Sequence, residues 1–447
     1  MGTKTERTGS IINYKTHFYN RQTISGLPFS LYFRPMIQFE KFVLDNGLRV
    51  IVHQDLSTPM AVLNILYDVG ARDENPSQTG FAHLFEHLMF GGSVNIPDYD
   101  EPLQMAGGEN NAYTTNDLTN YYIQIPADNL ETAFWLESDR MLSLAFDEKS
   151  LEVQRKVVCE EFKEHYIDKP YGDVWFKLRE LVYQKHPYRW MTIGKELSHI
   201  ENAQLQDVKN FFFKHYRPNN AIMVVAGNVQ VEKVKELAEK WFGDIPAGEP
   251  YLRQLPQETL QSEARRLTVS ADVPLDAFYK CWHFGGRLSK EYHTIDLITD
   301  ILGGGESSRL HQKMVKELQM FVAIQCYHLG SIDPGIVCIE GKLSKGVKME
   351  DAEREIEKIL TFLKEEPILN IELEKVKNKT ESIMAFEDMS LLNRANSLAF
   401  YELLGDAAMM NTELDKYEAV TVADIKSQAQ NIFKEENSST LYYYARN

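Results

Sequence analysis

A chain of 447 residues is more than one ordinary hydrophobic core accommodates, and points to two or three lobes. With 43% hydrophobic and 25% charged residues it has the composition of a globular protein, and no apolar run is long enough to cross a bilayer. A net charge of −17 leaves no basic face for phosphates, which argues against a nucleic-acid partner, and four cysteines without CxxC pairs suit buried thiols in a reducing compartment better than a disulfide framework.

Residues 1–36 read as a loosely ordered extension. They lack the apolar core of a signal peptide, so the expected localisation is cytoplasmic, without membrane contact. Over 39–53, alternating apolar residues flank an Asp45-Asn46-Gly47 turn, a hairpin signal. A strand is expected at 61–69, then a helix over 79–90 stopped by Gly91-Gly92, and a short helix ending near Ala106. Strands at 110–115 and 118–125 precede long amphipathic helices over 127–185, with breaks at 146–147 and 168–172. A strand at 221–227 and a helix at 231–242 complete the half. Residues 246–264, with three prolines and little periodicity, read as a linker. Beyond it the order repeats: strands at 266–271 and 277–284, helices over 291–317, strands at 321–329 and 335–342, long helices, and a last strand at 439–445. The expectation is an α+β fold of two similar lobes, 37–245 and 265–447, each a sheet packed against helices.

The residues that carry chemistry lie in HLFEH. His83 and His87 are four apart, so on a helix both imidazoles project from one face and can grip one metal. Glu86 stands beside them, placed to take a proton from an activated water. The pattern HxxEH is the inversion of the HExxH signature of zinc peptidases. A catalytic zinc needs a third protein ligand, and the segment LEVQRKVVCEEFKEH offers Glu160 or Glu161. Adjacent helical residues point about 100° apart, so only one of them can face the metal. Gln154, seven residues before Glu161, would share its face and could support it by hydrogen bonding.

These residues resemble the pitrilysin family of zinc peptidases, which contains insulin-degrading enzyme and mitochondrial processing peptidase. The likeness rests on HxxEH followed by a segment of the kind RxVVxEE, here Arg155 to Glu161. It extends to GARDENPSQTGFAHLFEHLMFGGS, GGENNAYTTNDLTNYYIQIP and HYRPNNAIMVVAGNV, and spans nearly all of 37–445. The resemblance implies two lobes with mostly antiparallel sheets. It implies one Zn²⁺ per chain on His83, His87 and Glu161, the last with 73 residues between it and His87, and Glu86 as the base. Asn111 and Ala112 would lie on an edge strand to which an extended peptide adds. The turn LGGGESSRL lacks the Gly-Lys-Ser/Thr ending of a phosphate loop; in the resembling family it opens a helix of the second lobe, so Gly304 and Gly305 are expected near substrate, with the strand at 336–341 anchoring its N-terminus.

One departure stands out. Where catalytic relatives carry an Arg and a Tyr seven residues apart, this chain has Val315 and Val322, and neither can donate to an oxyanion. The expected arrangement is therefore a metal-bearing subunit of a two-chain endopeptidase, with a paralogous subunit supplying Arg and Tyr. The alternatives are a homodimer using other donors, such as Tyr327, and a non-catalytic peptide-binding or scaffold subunit, which the complete HxxEH set disfavours. The other ten histidines lack ligand spacing and read as structural or solvated.

Overall fold

The Asp45-Asn46-Gly47 turn closes a hairpin: Gly47 takes φ +87°, and β1 (Glu40–Val43) pairs antiparallel with β2 (Arg49–Gln54). The chain is seen in a computed structural model that describes residues 36–446, so the expected extension lies, except for Met36, outside the described residues. The first half continues through β3 (Met60–Tyr67), α1 (Phe81–Leu88), α2 (Asp100–Met105), β4 (Glu109–Thr114), β5 (Thr119–Pro126), α3 (Leu130–Ser143), α4 (Glu148–Phe162), α5 (Val174–Val182), α6 (Leu197–Glu201), α7 (Leu205–His215), β6 (Ala221–Gly227) and α8 (Val231–Phe242). The second half runs β7 (Arg265–Ala271), β8 (Ala277–His283), α9 (Tyr292–Gly303), β9 (Phe321–Leu329), β10 (Ile336–Leu343), α10 (Met349–Glu365), α11 (Asn370–Glu387), α12 (Leu391–Leu403), α13 (Glu413–Glu418), α14 (Val422–Ile432) and β11 (Ser438–Ala445).

The two sheets are ordered β1-β2-β6-β3-β5-β4 and β7-β11-β8-β10-β9. With the β1 hairpin arm set aside, each half places its five strands in the same spatial order, first, fifth, second, fourth, third. In each, only the pairing of first with fifth (β2 with β6, β7 with β11) is parallel. The fold is thus α+β and internally repeated, as the sequence order suggested. The expected helical stretch 291–317 is interrupted: α9 ends at Gly303, and a separate widened helical turn covers His311–Glu317.

Strands β3 and β6 are apolar almost throughout and buried on both faces, which requires helices above and below. One face packs against helices of its own half, among them α1, α3, α7 and α8. The other face is covered by α12 of the second half, whose Ala395, Leu398 and Ala399 meet Ile51, Val62, Ile222 and Val224. The exchange is reciprocal. Val174, Leu178 and Val182 of α5 cover the second sheet at Cys281, Cys338 and Leu441. From Ile37 onward the chain is one compact unit. Polar contacts join the halves as well: Arg72 Nη1 reaches Asp117 (3.0 Å) in the β4–β5 turn and Asp333 (2.8 Å) in the β9–β10 turn.

Under β5 the pair Glu137–Arg140 is enclosed, with Nη2–Oε1 at 2.6 Å and Nε–Oε2 at 2.9 Å, and with the guanidinium 4.5 Å and 4.8 Å from the ring centroids of Tyr121 and Tyr99. Removing one partner strands a buried charge. Arg140→Ala is expected to cost about 3–5 kcal/mol in urea unfolding; a loss under about 1 kcal/mol would show that Glu137 finds water or another partner.

Candidate metal centre

In α1 the side chains of Phe81, Ala82, Leu84, Phe85 and Leu88 are buried, which leaves His83, Glu86 and His87 on the remaining, half-buried face. The apolar spacing of FAHLFEHL therefore orients the polar residues. The helix begins after Gly80, at φ +89°, where a Cβ would come within 2.7 Å of the Ile193 carbonyl oxygen. Glycine cannot cap with a side chain. Buried Glu74 does so instead, accepting from Gly80 N–H at 2.9 Å and Ala82 N–H at 2.8 Å.

Burial pushes the Glu74 carboxyl up to about 8, against the two amides that favour its charge. The folded-state value lies above the ordinary 4.5, so the folded protein holds the extra proton. This contribution is complete below pH 4.5 and is lost as pH rises through about 8. Glu74→Gln replaces one acceptor with a donor facing an N–H. It is expected to cost about 1–3 kcal/mol and to flatten the fall of stability across that pH window, as read from denaturant midpoints; an unaltered slope would place the titration elsewhere.

The third arm comes from α4, whose start is capped by Asp147 accepting from Ser150 N–H at 2.8 Å. Its buried Leu151, Val158, Cys159 and Phe162 set the roll of the helix. Of the two carboxylates that helix geometry left open, Glu160 is exposed and paired with Lys163 at 2.7 Å. Glu161 faces the histidines: its Oε2 is 3.8 Å from His83 Nε2 and 3.5 Å from His87 Nε2. The imidazoles stand edge to face, with centroids 4.8 Å apart. Among the described residues, His83, His87 and Glu161 form the only group of three such side chains whose ligand atoms all lie within 4.8 Å of one another.

The donor set fits zinc. The carboxylate separations are too long for hydrogen bonds, yet close to the roughly 3.3–3.6 Å between neighbouring ligand atoms in a tetrahedron with bonds of about 2.0–2.2 Å. Burial, with His87 beside it, pushes the His83 imidazole down to about 4, so the ring is neutral with its lone pair available. His83 Nδ1 is buried without a hydrogen-bond partner. Glu86 is half-buried, and burial raises its pKa above the ordinary carboxylate range. Thr114 and His87 oppose that shift.

Asn111 and Ala112 lie on β4, the edge strand, paired only with β5 (Asn111 opposite Tyr122, Ala112 opposite Tyr121), and the Ala112 N–H donates to Asn111 Oδ1 at 2.8 Å. Gln154 is half-buried on α4 and makes no hydrogen bond to Glu161. Gly304 and Gly305 follow the end of α9 in the second half, outside the His83–His87–Glu161 cluster; Gly305 has φ +104° and open space around it. Val315 packs against the second core and Val322 is exposed on β9. The Tyr327 hydroxyl already donates to Glu340 at 2.7 Å. None of these three offers a free donor. The roles of Glu74 and Thr114 carry no sequence signal: a capping residue seven positions before the helix it caps has no local signature.

The repeat gives the site a counterpart. Helix α9 lies between β8 and β9 as α1 lies between β3 and β4, and DLITDILGGG (296–305) aligns without gaps on HLFEHLMFGG (83–92). Asp296 and Asp300 fall at the places of His83 and His87. Lys379 Nζ sits 2.7 Å from Asp300 Oδ1, and the Tyr417 hydroxyl donates to Asp296 at 2.6 Å. The second half thus holds ion-pair and hydrogen-bond partners where the first holds the His83–His87–Glu161 group.

Two family profiles match the chain: Insulinase (Peptidase family M16) over residues 49–191 and Peptidase M16 inactive domain over 202–380. The zinc protease PqqE of Helicobacter pylori is 30% identical over 417 residues, covering 90% of this chain and 92% of that protein. The chain belongs to the insulinase family of peptidases, family M16. The crystal structure of a protease from Helicobacter pylori superposes with a TM-score of 0.85 at 28% identity, over 91% of this chain and 99% of that one. The mitochondrial-processing peptidase subunit beta of Saccharomyces cerevisiae is 31% identical over 209 residues, 46% of this chain and 45% of that protein. Among the described residues no helix is long and apolar enough to cross a membrane.

Proposed function

We propose that the chain is a zinc-dependent endopeptidase acting on extended peptides or small unfolded proteins. The observation that carries this reading is the convergence of His83 Nε2, His87 Nε2 and Glu161 Oε2 beside the Glu86 carboxylate. His83, His87 and Glu161 would hold one Zn²⁺, which supplies Lewis-acid polarisation of the scissile carbonyl and of the attacking water. Glu86 takes the proton of that water on a carboxylate oxygen and returns it to the leaving amine nitrogen. Its raised pKa suits both transfers. The free edge of β4 binds the peptide backbone as an added strand around Asn111 and Ala112, which orients the substrate without reading most of its side chains. A mixed peptide library tests the reading: cleavage is expected to stop with a chelator and to return with zinc, and cleavage indifferent to chelator would contradict it.

The same reading assigns the chain to a two-chain enzyme. Val315 and Val322 cannot donate, and Tyr327 is engaged by Glu340; the similarity to a chain named as a beta subunit points the same way. The chain purified alone is expected to cleave peptides poorly, and co-purification with a paralogous subunit that brings Arg and Tyr to raise the rate by about 10²-fold or more. Full activity of the isolated chain would replace this arrangement with a self-sufficient one. A scaffold role would fit a chain that had lost part of the α1 set. The profile named for an inactive domain covers residues 202–380, not α1.

A further inference from the structure

We infer that the cavity enclosed by the segment before α1, the 185–195 segment and the linker after α8 binds a small organic anion, one phosphoryl or carboxylate group on a compact apolar body. The inference goes beyond the peptidase reading and does not depend on it. The cavity has a volume of about 280 Å³. That is just below the roughly 300–1,000 Å³ of pockets for drug-sized ligands, and suits a smaller molecule. Arg72, Lys185, Arg189 and Lys195 bring four cations to it, in a chain whose net charge of −17 repels anions elsewhere.

The acids of the lining are answered within the protein, and the cations are not answered to the same extent. Asp73 pairs with Arg253 at 2.7 Å and accepts from the Tyr251 hydroxyl at 3.1 Å. Glu74 accepts from the Gly80 and Ala82 amides, and burial keeps its carboxyl mostly protonated at pH 7, so it does little to repel an anion. Among the described residues Lys185 and Arg189 form no ion pair, and Lys195 has only a 3.4 Å contact with Glu180. Arg189 spends one donor on the Gln184 carbonyl, at 3.3 Å. The Nε–H groups of Arg72, whose side chain is 3% exposed, and of Arg189 are buried without a hydrogen-bond partner. A guanidinium N–H withdrawn from water is costly until an acceptor reaches it, and an oxyanion is the strongest acceptor it can meet.

The rest of the lining suits an apolar body. Pro187, Trp190, Leu255 and Pro256 contribute to the walls, and the indole is fixed by its Nε1–H, which donates to the Ala71 carbonyl at 2.9 Å. Glu258 of the linker holds the start of the 185–195 segment, accepting from the N–H groups of Gln184 at 3.0 Å, Lys185 at 2.8 Å and His186 at 2.9 Å. Three stretches far apart in the sequence are thus locked together before any ligand arrives, which lowers the cost of binding one. The linker is a wall of this cavity as well as a connection between the halves.

Isothermal titration calorimetry on the full-length zinc-loaded protein tests the inference, with phenyl phosphate and 3-phenylpropionate as probes and benzyl alcohol as the neutral control. A saturable site is expected for at least one anion, with a Kd of about 1 mM or lower, and none for the alcohol. The tighter of the two anions tells a phosphoryl from a carboxylate ligand. Arg189→Gln is expected to weaken its binding at least about tenfold, and Leu255→Trp, which fills the cavity from the linker, to abolish it; both are checked for folding by their Tm. Lys185→Gln, at an exposed position that spares the fold, is expected to weaken binding about threefold. Lys358→Gln, which removes an exposed charge paired with Glu355 outside the cavity, should leave affinity within about twofold. No saturable anion site, equal affinity for the alcohol, or an affinity unaltered in the folded cavity variants, as for an anion bound at the metal, would overturn the inference. Cleavage does not enter the readout, so the result stands whether or not the chain is a peptidase.

Discussion

Glu86→Gln is expected to keep its zinc and lose about 10²–10⁴-fold in peptide hydrolysis. Gln preserves the shape of the side chain, so α1 keeps its packing and the three ligand atoms keep their places. The amide cannot accept the proton of the attacking water, and no other carboxylate stands ready: Glu161 is turned to the histidines, and Glu160 is in solvent with Lys163. The half-buried setting that raises the pKa of Glu86 makes it a better base than an exposed carboxylate and hard for bulk buffer to replace. Metal analysis and single-turnover cleavage on the same preparation separate the two properties. Turnover within twofold of the wild type would remove Glu86 from the reaction.

Glu161→Gln is expected to weaken zinc binding by at least about 100-fold, since a neutral amide oxygen replaces the only anionic donor of the set and even a supporting residue around a zinc site is worth 10–100-fold. Glu160→Gln is the control. Its side chain is exposed and leaves the cluster untouched, so zinc affinity should stay within about twofold. Competition with a chelator dye measures both. Equal losses in the two variants would mean a general effect of charge on α4, and a loss confined to Glu160→Gln would reverse the assignment that the Oε2 distances support.

Much of this was legible in the letters because local chemistry dictated it. The Asp45-Asn46-Gly47 hairpin, the glycine stop after α1 and the repeated order of strands each follow from turn composition and periodicity, and the structure has all three. His83 and His87 were readable as a pair because helix spacing alone places them on one face. The choice between Glu160 and Glu161 was not readable locally. It depends on the roll of α4 against α1, which the burial of Val158 and Phe162 sets through tertiary packing.

The exchange of α5 and α12 between the halves was hidden for a related reason. An amphipathic pattern says that one face is buried, not which sheet buries it, so residues 174–182 read as part of the half in which they occur, although Val174, Leu178 and Val182 pack on the other sheet. The widened turn after Phe162 shifts the helical register by a single residue, below what apolar spacing resolves, and the Glu74 cap acts across a loop. The widened turn continues α4 just beyond Glu161 and the Glu74 cap holds the start of α1, so both adjoin the candidate metal centre, where local rules yield to the needs of a site.

The most direct measurement is anomalous diffraction at the zinc absorption edge from crystals of the protein purified without chelator. One peak per chain is expected, within about 2.0–2.2 Å of His83 Nε2, His87 Nε2 and a Glu161 carboxylate oxygen. A zinc-replete crystal with no peak among these three residues, or with its peak at another set of side chains, would contradict the assignment of this chain as a zinc peptidase acting through α1 and α4.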